Sequence, residues 1–259
     1  MQPTLSQLKT WARQAGAILR RGQKTSFKIE HKGRVDLVTE MDKLSEDYLL
    51  GQIRQHFPDH AIVSEESGSF EGSNHCDCTW FVDPLDGTVN YAHGVPLYVV
   101  SIGYGEYGKM KLGVIYDPTR NEMFSAEAGK GAWLNNRRIR VSGQTEILQA
   151  LMVTGFPYDI IGQYTNNLEN FNRLSLVSQG VRRLGSAAMD MCYIACGRLD
   201  GYWEVRLKPW DLAAGWLIVT EAGGTVSDLD GNPDLMHPPY SIVASTPALH
   251  SDMLKELKS

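Results

Sequence analysis

Apolar residues recur every three or four positions near the start of the chain, which is the spacing of one face of an α-helix. This face comprises Leu5, Leu8, Trp11, Ala12, Ala15, Ile18 and Leu19. It predicts an amphipathic first helix whose apolar side lies in the core. A second helix is predicted to follow Asp42 and to end at Phe57, because the residue before Pro58 is disfavoured in helical backbone.

From residue 97 to residue 141 the pattern changes to short apolar runs separated by Gly, Asp-Pro and Asn-Asn turns. Such runs predict a large antiparallel sheet. The rest of the chain alternates between the two patterns, with helices predicted over 168–177, 187–196, 212–222 and 247–257 and a buried strand over 241–244. We therefore expect an α+β half over residues 1–145 and an α/β half over residues 146–259, joined without a long linker.

Composition narrows the class of protein. The 259-residue chain is 42% hydrophobic and carries a formal net charge of −5. This length supports one large core or two intimately packed subdomains, and the acidic balance argues against nucleic acid as the main partner. The basic cluster at 137–140 is more typical of a solvated face than of a binding patch. No apolar run approaches the roughly 20 residues that span a bilayer, so we expect a cytoplasmic protein without a membrane contact.

The cysteines give a weak metal signal. Cys76 and Cys78 form a single Cys-x-Cys pair, whereas structural zinc uses four ligands. Cys192 and Cys196 lie four positions apart on a predicted helix, where buried thiols are expected. An obligatory disulfide is not expected, because disulfides are rare in cytoplasmic proteins.

The segment over residues 80–90 carries the strongest chemical signal. Asp83 and Asp86 lie three residues apart across a turn, so both can face one hard divalent cation, which prefers oxygen ligands. Pro84 is expected to end the strand and to leave the Leu85 carbonyl as a further oxygen ligand. Backbone N–H groups of the following Gly-Thr pair can receive a phosphoryl oxygen. The same residues also form an ordinary turn signal, so this segment alone leaves both interpretations open.

Two further segments place acids at the ends of predicted elements. The strand-like run at 61–67 delivers Glu65 and Glu66, and because successive side chains of a strand point to opposite faces, only one of them is expected to enter a site. Pro209 opens a predicted helix, which places Asp211 close to the partially positive helix end.

Together these segments resemble the inositol monophosphatase family, which belongs to the metal-dependent, lithium-sensitive phosphatases. The matching motifs are DLVTEMD at 36–42, SEES at 64–67, WFVDPLDGTVN at 80–90, LGSAA at 184–188 and WDLAAGWLIVTEAGG at 210–224. Their order and spacing extend over nearly the whole chain. The resemblance implies the family's layered α-β-α-β-α sandwich, which is also the fructose-1,6-bisphosphatase type, with metal ions at the junction of the two halves and a homodimeric assembly.

The resemblance also implies roles for individual residues. Two or three Mg²⁺ ions are expected to be held by Glu65, Asp83, the Leu85 carbonyl, Asp86 and Asp211. The catalytic residues are expected to be Asp42, Thr88 and Glu65, with Thr88 donating a hydrogen bond to Asp42 and orienting a metal-bound water for in-line attack on phosphorus. The expected substrate contacts are Asp86, Gly87, Thr88, Gly185, Ser186, Ala187 and Glu204. The implied activity is hydrolysis of myo-inositol 1-phosphate or a similar small phosphate monoester.

Two of these residues have a plainer interpretation as well. Asp42 lies three residues after Thr39, which is the spacing of a helix-capping pair. Glu204 is a lone acid in a predicted strand with aromatic and apolar neighbours, where it could face solvent.

Two positions depart from the family pattern. His31 stands where many relatives have a lysine, and Lys32 follows it, so the residue that supplies positive charge near the metals is left open. Val89 replaces a common threonine, but the hydroxyl assigned to the water belongs to its neighbour, and we expect activity to survive this change.

The substrate and the class of protein have alternatives at this point. The same chemistry could act on fructose 1,6-bisphosphate, histidinol phosphate or a nucleotide 3′-phosphate, although Asn90-Tyr91 resembles the inositol-type branch. The second alternative is a regulatory binding protein with secondary phosphatase activity, because some bacterial relatives are suspected to contact transcription factors. The complete set of predicted metal acids argues against regulation as the primary role.

Overall fold

The computed structural model describes residues 2–31, 33, 36–73, 77–157 and 167–258 of the chain. Seven α-helices lie in these ranges: α1 Leu5–Gly22, α2 Glu40–His56, α3 Thr88–Ala92, α4 Leu168–Val177, α5 Ala187–Ala195, α6 Pro209–Glu221 and α7 Pro247–Lys258. The first begins with a capping box in which Thr4 and Gln7 satisfy each other's backbone N–H groups. The helices predicted from apolar periodicity are confirmed, with ends that differ by a few residues.

The first large sheet has eight strands: β3 Ala61–Ser64, β4 Gly68–Phe70, β5 Cys78–Asp86, β6 Val99–Glu106, β7 Lys109–Asp117, β8 Glu122–Glu127, β9 Gly131–Leu134 and β10 Arg137–Arg138. Their order across the sheet is β10-β9-β8-β7-β6-β5-β3-β4. All neighbours are antiparallel except β3 and β5, which are parallel. The antiparallel sheet predicted between residues 97 and 141 is confirmed. A separate antiparallel pair joins β1 Ile29–His31 to β2 Leu37–Thr39.

The second sheet has five strands: β11 Leu151–Thr154, β12 Gly180–Arg182, β13 Gly201–Glu204, β14 Thr225–Ser227 and β15 Ile242–Ser245. Their order is β12-β11-β13-β15-β14. The β11 strand is parallel to both of its neighbours, whereas β15 is antiparallel to β13 and β14. The predicted strand at 241–244 is β15, shifted by one residue.

The elements stack in five layers. Helices α1 and α2 cover the outer face of the eight-stranded sheet, α5 and α6 lie between the two sheets, and α4 and α7 cover the outer face of the five-stranded sheet. Three apolar clusters fill the spaces between these layers: one lies between the first helix pair and the eight-stranded sheet, one lies on both sides of the central helices, and one lies between the five-stranded sheet and the last helix pair. Such spaces are where a helix or sheet must bury its hydrophobic face. The fold is therefore the predicted α-β-α-β-α sandwich.

The central helix α6 lies unusually close to the eight-stranded sheet. Gly103 of β6 pairs with Gly113 of β7, and both lie under the helix. A Cβ atom at Gly103 would lie 2.9 Å from Ala213 Cβ, and one at Gly113 would lie 2.8 Å from the Ala214 carbonyl oxygen. Both contacts are too short for a side chain at these positions, so the glycine pair permits this packing distance.

The division near residue 145 falls between the two sheets, and the division into halves stays a prediction. The apolar cluster around α5 and α6 draws residues from both sides of it, including Ile115 and Phe124 from one half and Met191 and Leu212 from the other. Among the described residues, no helix is long and apolar enough to cross a membrane.

One cysteine prediction is wrong. Cys78 is disulfide-bonded, although an obligatory disulfide was not expected. Cys192 is a buried free thiol and Cys196 is a partly exposed one. Cys76 lies outside the described residues.

Candidate active site

A cavity of about 760 Å³ opens where the central helices meet the ends of β5 and β13. It is lined by almost all of the residues predicted for the site, namely Glu65, Asp83, Leu85, Asp86, Gly87, Thr88, Gly185, Ser186, Ala187, Glu204 and Asp211. The exception is Asp42, which lies directly behind Thr88. Residues from five separate segments of the chain therefore meet in one space.

The end of β5 presents Asp83, Leu85 and Asp86 to the cavity. Asp83 is 2% exposed and accepts a hydrogen bond of 3.0 Å from the Leu85 N–H. The expectation that the strand ends at Pro84 is wrong. The β5 strand continues to Asp86, with a shift in its pairing with β6 between Asp83 and Asp86, because a bulge can accommodate a residue without an N–H group.

A short helix begins immediately after this strand. Gly87 has φ of 97°, a left-handed conformation that favours glycine, and α3 starts at Thr88. The Thr88 hydroxyl lies 3.0 Å from Asp42 Oδ1 and 3.0 Å from the Leu85 carbonyl oxygen. One hydroxyl proton thus has two acceptors, so the Thr88 oxygen sits between the candidate metal ligands and a buried carboxylate.

Asp42 serves as a cap and also contacts Thr88. Its Oδ2 accepts hydrogen bonds from the N–H of Thr39 at 2.8 Å and from the Thr39 hydroxyl at 2.5 Å, which completes the capping box of α2. Its Oδ1 faces Thr88. Complete burial raises the pKa of Asp42, and these hydrogen bonds oppose the increase. The capping interpretation and the contact with Thr88 are therefore compatible.

Only one acid of the Glu65-Glu66 pair lines the cavity, as the alternation of a strand predicts. Glu65 faces it, and its N–H continues the β3–β5 pairing by donating to the Val82 carbonyl. The N–H of Glu66 donates instead to Glu46 of α2 at 3.0 Å. Ser67 also binds Glu46 through its hydroxyl, so the buried Glu46 fixes the turn that presents Glu65.

The first turn of α6, in the second half of the chain, contributes Asp211 to the cavity. Pro209 occupies the start of the helix, where its missing N–H costs nothing. One carboxylate oxygen of Asp211 accepts a 2.8 Å hydrogen bond from the Lys208 N–H. This bond fixes the Asp211 side chain at the helix terminus and against the cavity.

The acids of the cavity repel one another. The pKa of Asp83 is raised well above its usual range, first by burial and then by Glu65, Asp86 and Asp211. Burial, together with the charges of Asp86 and Glu65, raises the pKa of Asp211 in the same way. Burial raises the pKa of Asp86, although hydrogen bonds oppose the increase. A cluster of this kind favours a bound cation or bound protons over free carboxylates.

The N-terminus of α5 holds the carboxylate of Asp86. Ser186 caps the helix, and its hydroxyl donates to Asp86 Oδ2 at 2.7 Å. The N–H of Ala188 donates to the same oxygen at 2.7 Å. The side chain of Asn90 in α3 donates to the Leu184 carbonyl at 2.8 Å, which ties the Gly185 loop to α3.

Glu204 ends β13 and lines the cavity with an exposure of 9%. The alternative in which it faces solvent is therefore wrong. The Tyr202 hydroxyl donates to Glu204 Oε2 at 2.8 Å, and burial raises the pKa of Glu204 to about 7. Gly155 makes room for this carboxylate, since a Cβ atom at that position would lie 2.2 Å from Glu204 Oε1.

Comparison with known proteins identifies the family. The model of the inositol monophosphatase family matches residues 1–259. An inositol-1-monophosphatase of Synechocystis sp. is 46% identical over 231 residues, which are 88% of this chain and 79% of that protein. The chain belongs to the inositol monophosphatase family.

Relatives in this family carry more than one name. A protein of Pseudomonas aeruginosa named Nus factor SuhB is 42% identical over 253 residues, which are 95% of this chain and 93% of that protein. The solved structure of inositol monophosphatase from Anabaena (Nostoc) sp. PCC 7120 is 42% identical, has a TM-score of 0.87, and covers 96% of this chain and 93% of its own. Sequence and structure comparisons thus agree on the inositol monophosphatase fold.

The donor set of this inositol monophosphatase family member fits a hard divalent cation. Carboxylates and one backbone carbonyl converge on the cavity, and Mg²⁺ prefers such oxygen ligands. In Asp83 and Asp211 the hydrogen bond to the backbone engages one carboxylate oxygen, so the second oxygen is available. As the side chains stand, no group of three or more acidic, His or Cys side chains among the described residues is arranged to hold a metal ion, and the ligand assignment stays a prediction.

Several cavity residues were missed from the sequence. They are Gly33, Asp36, Gly155, Phe156, Pro157, Arg183, Asp190, Arg206, Leu207, Lys208 and Trp210. Asp190 is the most informative, because it is 1% exposed and its Oδ1 has no hydrogen-bond partner in the described parts of the chain. A signal existed, since an acid four residues after Ser186 lies on the same face of the helix.

The departures from the family pattern have different outcomes. His31 lies in an exposed strand and does not line the cavity, and Lys32 lies outside the described residues. Arg183, Arg206 and Lys208 do line the cavity and bring positive charge to it. Val89 is absent from the cavity lining among the described residues.

Proposed function

We propose that this protein is a magnesium-dependent phosphomonoesterase that hydrolyses myo-inositol 1-phosphate or a similar small polyol phosphate. One observation carries the proposal: Asp83, Asp86 and Asp211 line the same cavity as Thr88, whose hydroxyl donates to Asp42 behind it. Membership of the inositol monophosphatase family supports a phosphatase activity. The cavity supplies acidic ligands for cations and, beside them, a hydroxyl suited to position water.

When bound, magnesium would acidify water and neutralise charge on the phosphoryl oxygens. The protein's own side chains position the attacking water. Asp42 accepts the hydrogen bond that the Thr88 hydroxyl donates. The lone pairs of the Thr88 oxygen are therefore left to accept a hydrogen bond from the attacking water. That bond would aim the water at phosphorus from the side of α3. In-line attack by water forms no phosphoenzyme, since the acids are committed to cations.

The alcohol side of the substrate is proposed to meet Gly185, Ser186, Ala187 and Glu204. These residues line the same cavity as Glu65 at the end of β3. Glu204 can accept a hydrogen bond from a ring hydroxyl, while Tyr202 continues to donate to its other oxygen. The inositol-1-monophosphatase name of the Synechocystis relative supports an inositol phosphate as the first substrate to test.

A panel of phosphates tests the activity. Phosphate release is measured from myo-inositol 1-phosphate, fructose 1,6-bisphosphate, phosphoadenosine phosphate and histidinol phosphate, with Mg²⁺ and with a chelator. We expect Mg²⁺-dependent release that is nearly abolished in Asp86→Asn, which removes a charged ligand. Glu66→Gln is the matched control, because it changes the neighbouring acid outside the cavity lining and should leave the rate unchanged. Retained activity in Asp86→Asn would refute the metal assignment.

Four further measurements address the mechanism, the inhibition by lithium, the assembly and the location of the protein. In water labelled with ¹⁸O, the product phosphate should carry the label, and a trapped enzyme phosphate would refute direct hydrolysis. Lithium at millimolar concentration should inhibit at limiting magnesium, and sedimentation should give a homodimer. A cytoplasmic location also stays part of the proposal and is checked by fractionation.

A regulatory role is the second candidate, because relatives such as the Pseudomonas aeruginosa protein are named Nus factor SuhB. The Asp86→Asn variant separates the two roles. If that inactive variant restores the phenotype of a deletion strain, the cellular role does not depend on catalysis. If only the wild type restores it, phosphatase activity is the primary function.

A further inference from the structure

Asp190 is a buried carboxyl group that the proposed mechanism does not use. It lies in α5, is 1% exposed and lines the cavity. Its backbone N–H donates to the Ser186 carbonyl at 3.0 Å as part of the helix. Its Oδ1 has no hydrogen-bond partner within the described ranges. A buried polar atom without a partner is costly to a folded protein, so a group that arrives with a ligand is the expected partner.

The position of Asp190 indicates which part of a ligand it meets. Ser186 lies four residues earlier and binds Asp86, so Asp190 lies one helical turn beyond Ser186 on the same face of α5. Among charged neighbours, Glu204 acts on it most strongly and Asp86 less so. Asp190 therefore lies on the side of the cavity assigned to the alcohol.

The surroundings also indicate the chemistry of the partner. The charges that act on Asp190 are the acids Glu204 and Asp86, and burial together with these acids raises the pKa of its carboxyl well above the usual range. A protonated carboxyl both donates and accepts hydrogen bonds, as a hydroxyl group does. A sugar or polyol hydroxyl therefore complements this position.

We propose that Asp190 is a specificity-determining residue that hydrogen-bonds a hydroxyl of the substrate's alcohol, beside the hydroxyl bound by Glu204. This inference rests on the proposed phosphatase function. It restricts the substrate class to alcohols with at least two hydroxyl groups near the phosphoester. Asp190 contacts neither the phosphoryl group nor the attacking water, so the chemical step itself does not require it.

Two substrates that differ only in ring hydroxyls test the proposal. The kcat/KM values for myo-inositol 1-phosphate and cyclohexyl phosphate are measured for the wild type, Asp190→Ala and Asp190→Asn. We expect Asp190→Ala to lower kcat/KM about tenfold for the inositol ester, mainly through KM, and to leave the cyclohexyl ester unchanged within twofold. Asp190→Asn, which can still donate and accept, should recover part of the loss.

Stability and a matched control separate specificity from structure. Removal of an unpartnered buried carboxyl should leave Tm unchanged or raise it by roughly 2–4 °C. Cys192→Ala, which truncates a buried residue of the same helix outside the cavity lining, should affect both substrates equally. An equal loss for both substrates in Asp190→Ala, or no loss for either, would overturn the proposal.

Binding without turnover separates this inference from the proposed function. Myo-inositol 1-phosphate is titrated into each protein in the presence of Ca²⁺ in place of Mg²⁺, and binding is measured by calorimetry. No binding to the wild type would refute the proposed function and this assignment with it. Equal affinity of the wild type and Asp190→Ala would refute the assignment alone, and weaker binding to Asp190→Ala would support it.

Discussion

Replacement of Thr88 by valine tests the Asp42–Thr88 pair, because valine keeps the shape and removes the hydroxyl. Asp42 would keep both hydrogen bonds from Thr39 but lose the donor at 3.0 Å. Loss of one hydrogen bond to a buried carboxylate costs about 1.5–3 kcal/mol. For a chain of this size that corresponds to a fall in Tm of roughly 4–8 °C. The protein should therefore remain folded at assay temperature.

The effect on catalysis should be much larger than the effect on stability. A group that positions or deprotonates a nucleophile contributes about 10²–10⁴ in rate, so kcat for Thr88→Val should fall at least 10²-fold. Thr88→Ser keeps the hydroxyl and is expected to stay within about tenfold of the wild type. Phosphate release at saturating Mg²⁺ and substrate gives kcat, and circular dichroism gives Tm.

A double-mutant cycle with Asp42→Asn completes the test. Because the two residues act as one unit, the double variant should be little slower than either single variant. Multiplicative losses would show that Thr88 and Asp42 act separately. A Thr88→Val enzyme with nearly normal kcat would refute the reasoning altogether, because the geometry would then have no catalytic consequence.

Three further predictions concern single residues. The pKa of Glu204 in the folded protein is raised to about 7 from a usual value of 4.5, so its contribution to stability is full below pH 4.5 and is lost as pH rises to 7. The Tm of Glu204→Gln should therefore rise relative to the Tm of the wild type between pH 5 and 8. A constant difference between the two Tm values would contradict this. Gly155→Ala should lower kcat/KM for the polyol ester by displacing the Glu204 carboxylate, and unchanged kinetics would contradict the contact. His60 accepts a hydrogen bond from Trp80 Nε1–H at 3.1 Å, and burial lowers the pKa of His60. The Tm of the wild type should therefore fall relative to that of His60→Phe below about pH 6.5. Parallel plots of Tm against pH for the two proteins would contradict this prediction.

The helices were predictable because their signals are local. Apolar periodicity and the capping pair of Thr39 and Asp42 locate α1 and α2, and Pro209 marks the start of α6. Strands of two or three residues such as β4, β10 and β12 were missed, because they are too short to show alternation. The continuation of β5 beyond Pro84 was missed because a bulge depends on the partner strand.

The acids of the site were predictable where a motif places them at the end of an element. Asp83, Asp86 and Asp211 were found in this way, and the structure brings them to one cavity. Asp190 was missed because an acid in the first turns of a helix usually serves the helix dipole. The elevated pKa of Glu204 follows from burial, which the hydrogen bond from Tyr202 opposes, and only the folded chain creates this environment.

The glycine pair beneath α6 places a constraint on the active site from a distance. Gly103 lies beside Phe81 of β5, two residues before Asp83, while the helix packed against Gly103 and Gly113 carries Asp211. Because neither glycine has a side chain, the helix can lie close to the sheet. This packing determines the separation between Asp83 on the strand and Asp211 on the helix. A larger residue at either glycine would move Asp211 away from Asp83 without contacting either acid. If these acids hold the proposed cation, residues that no ion approaches would thus partly set the affinity for it.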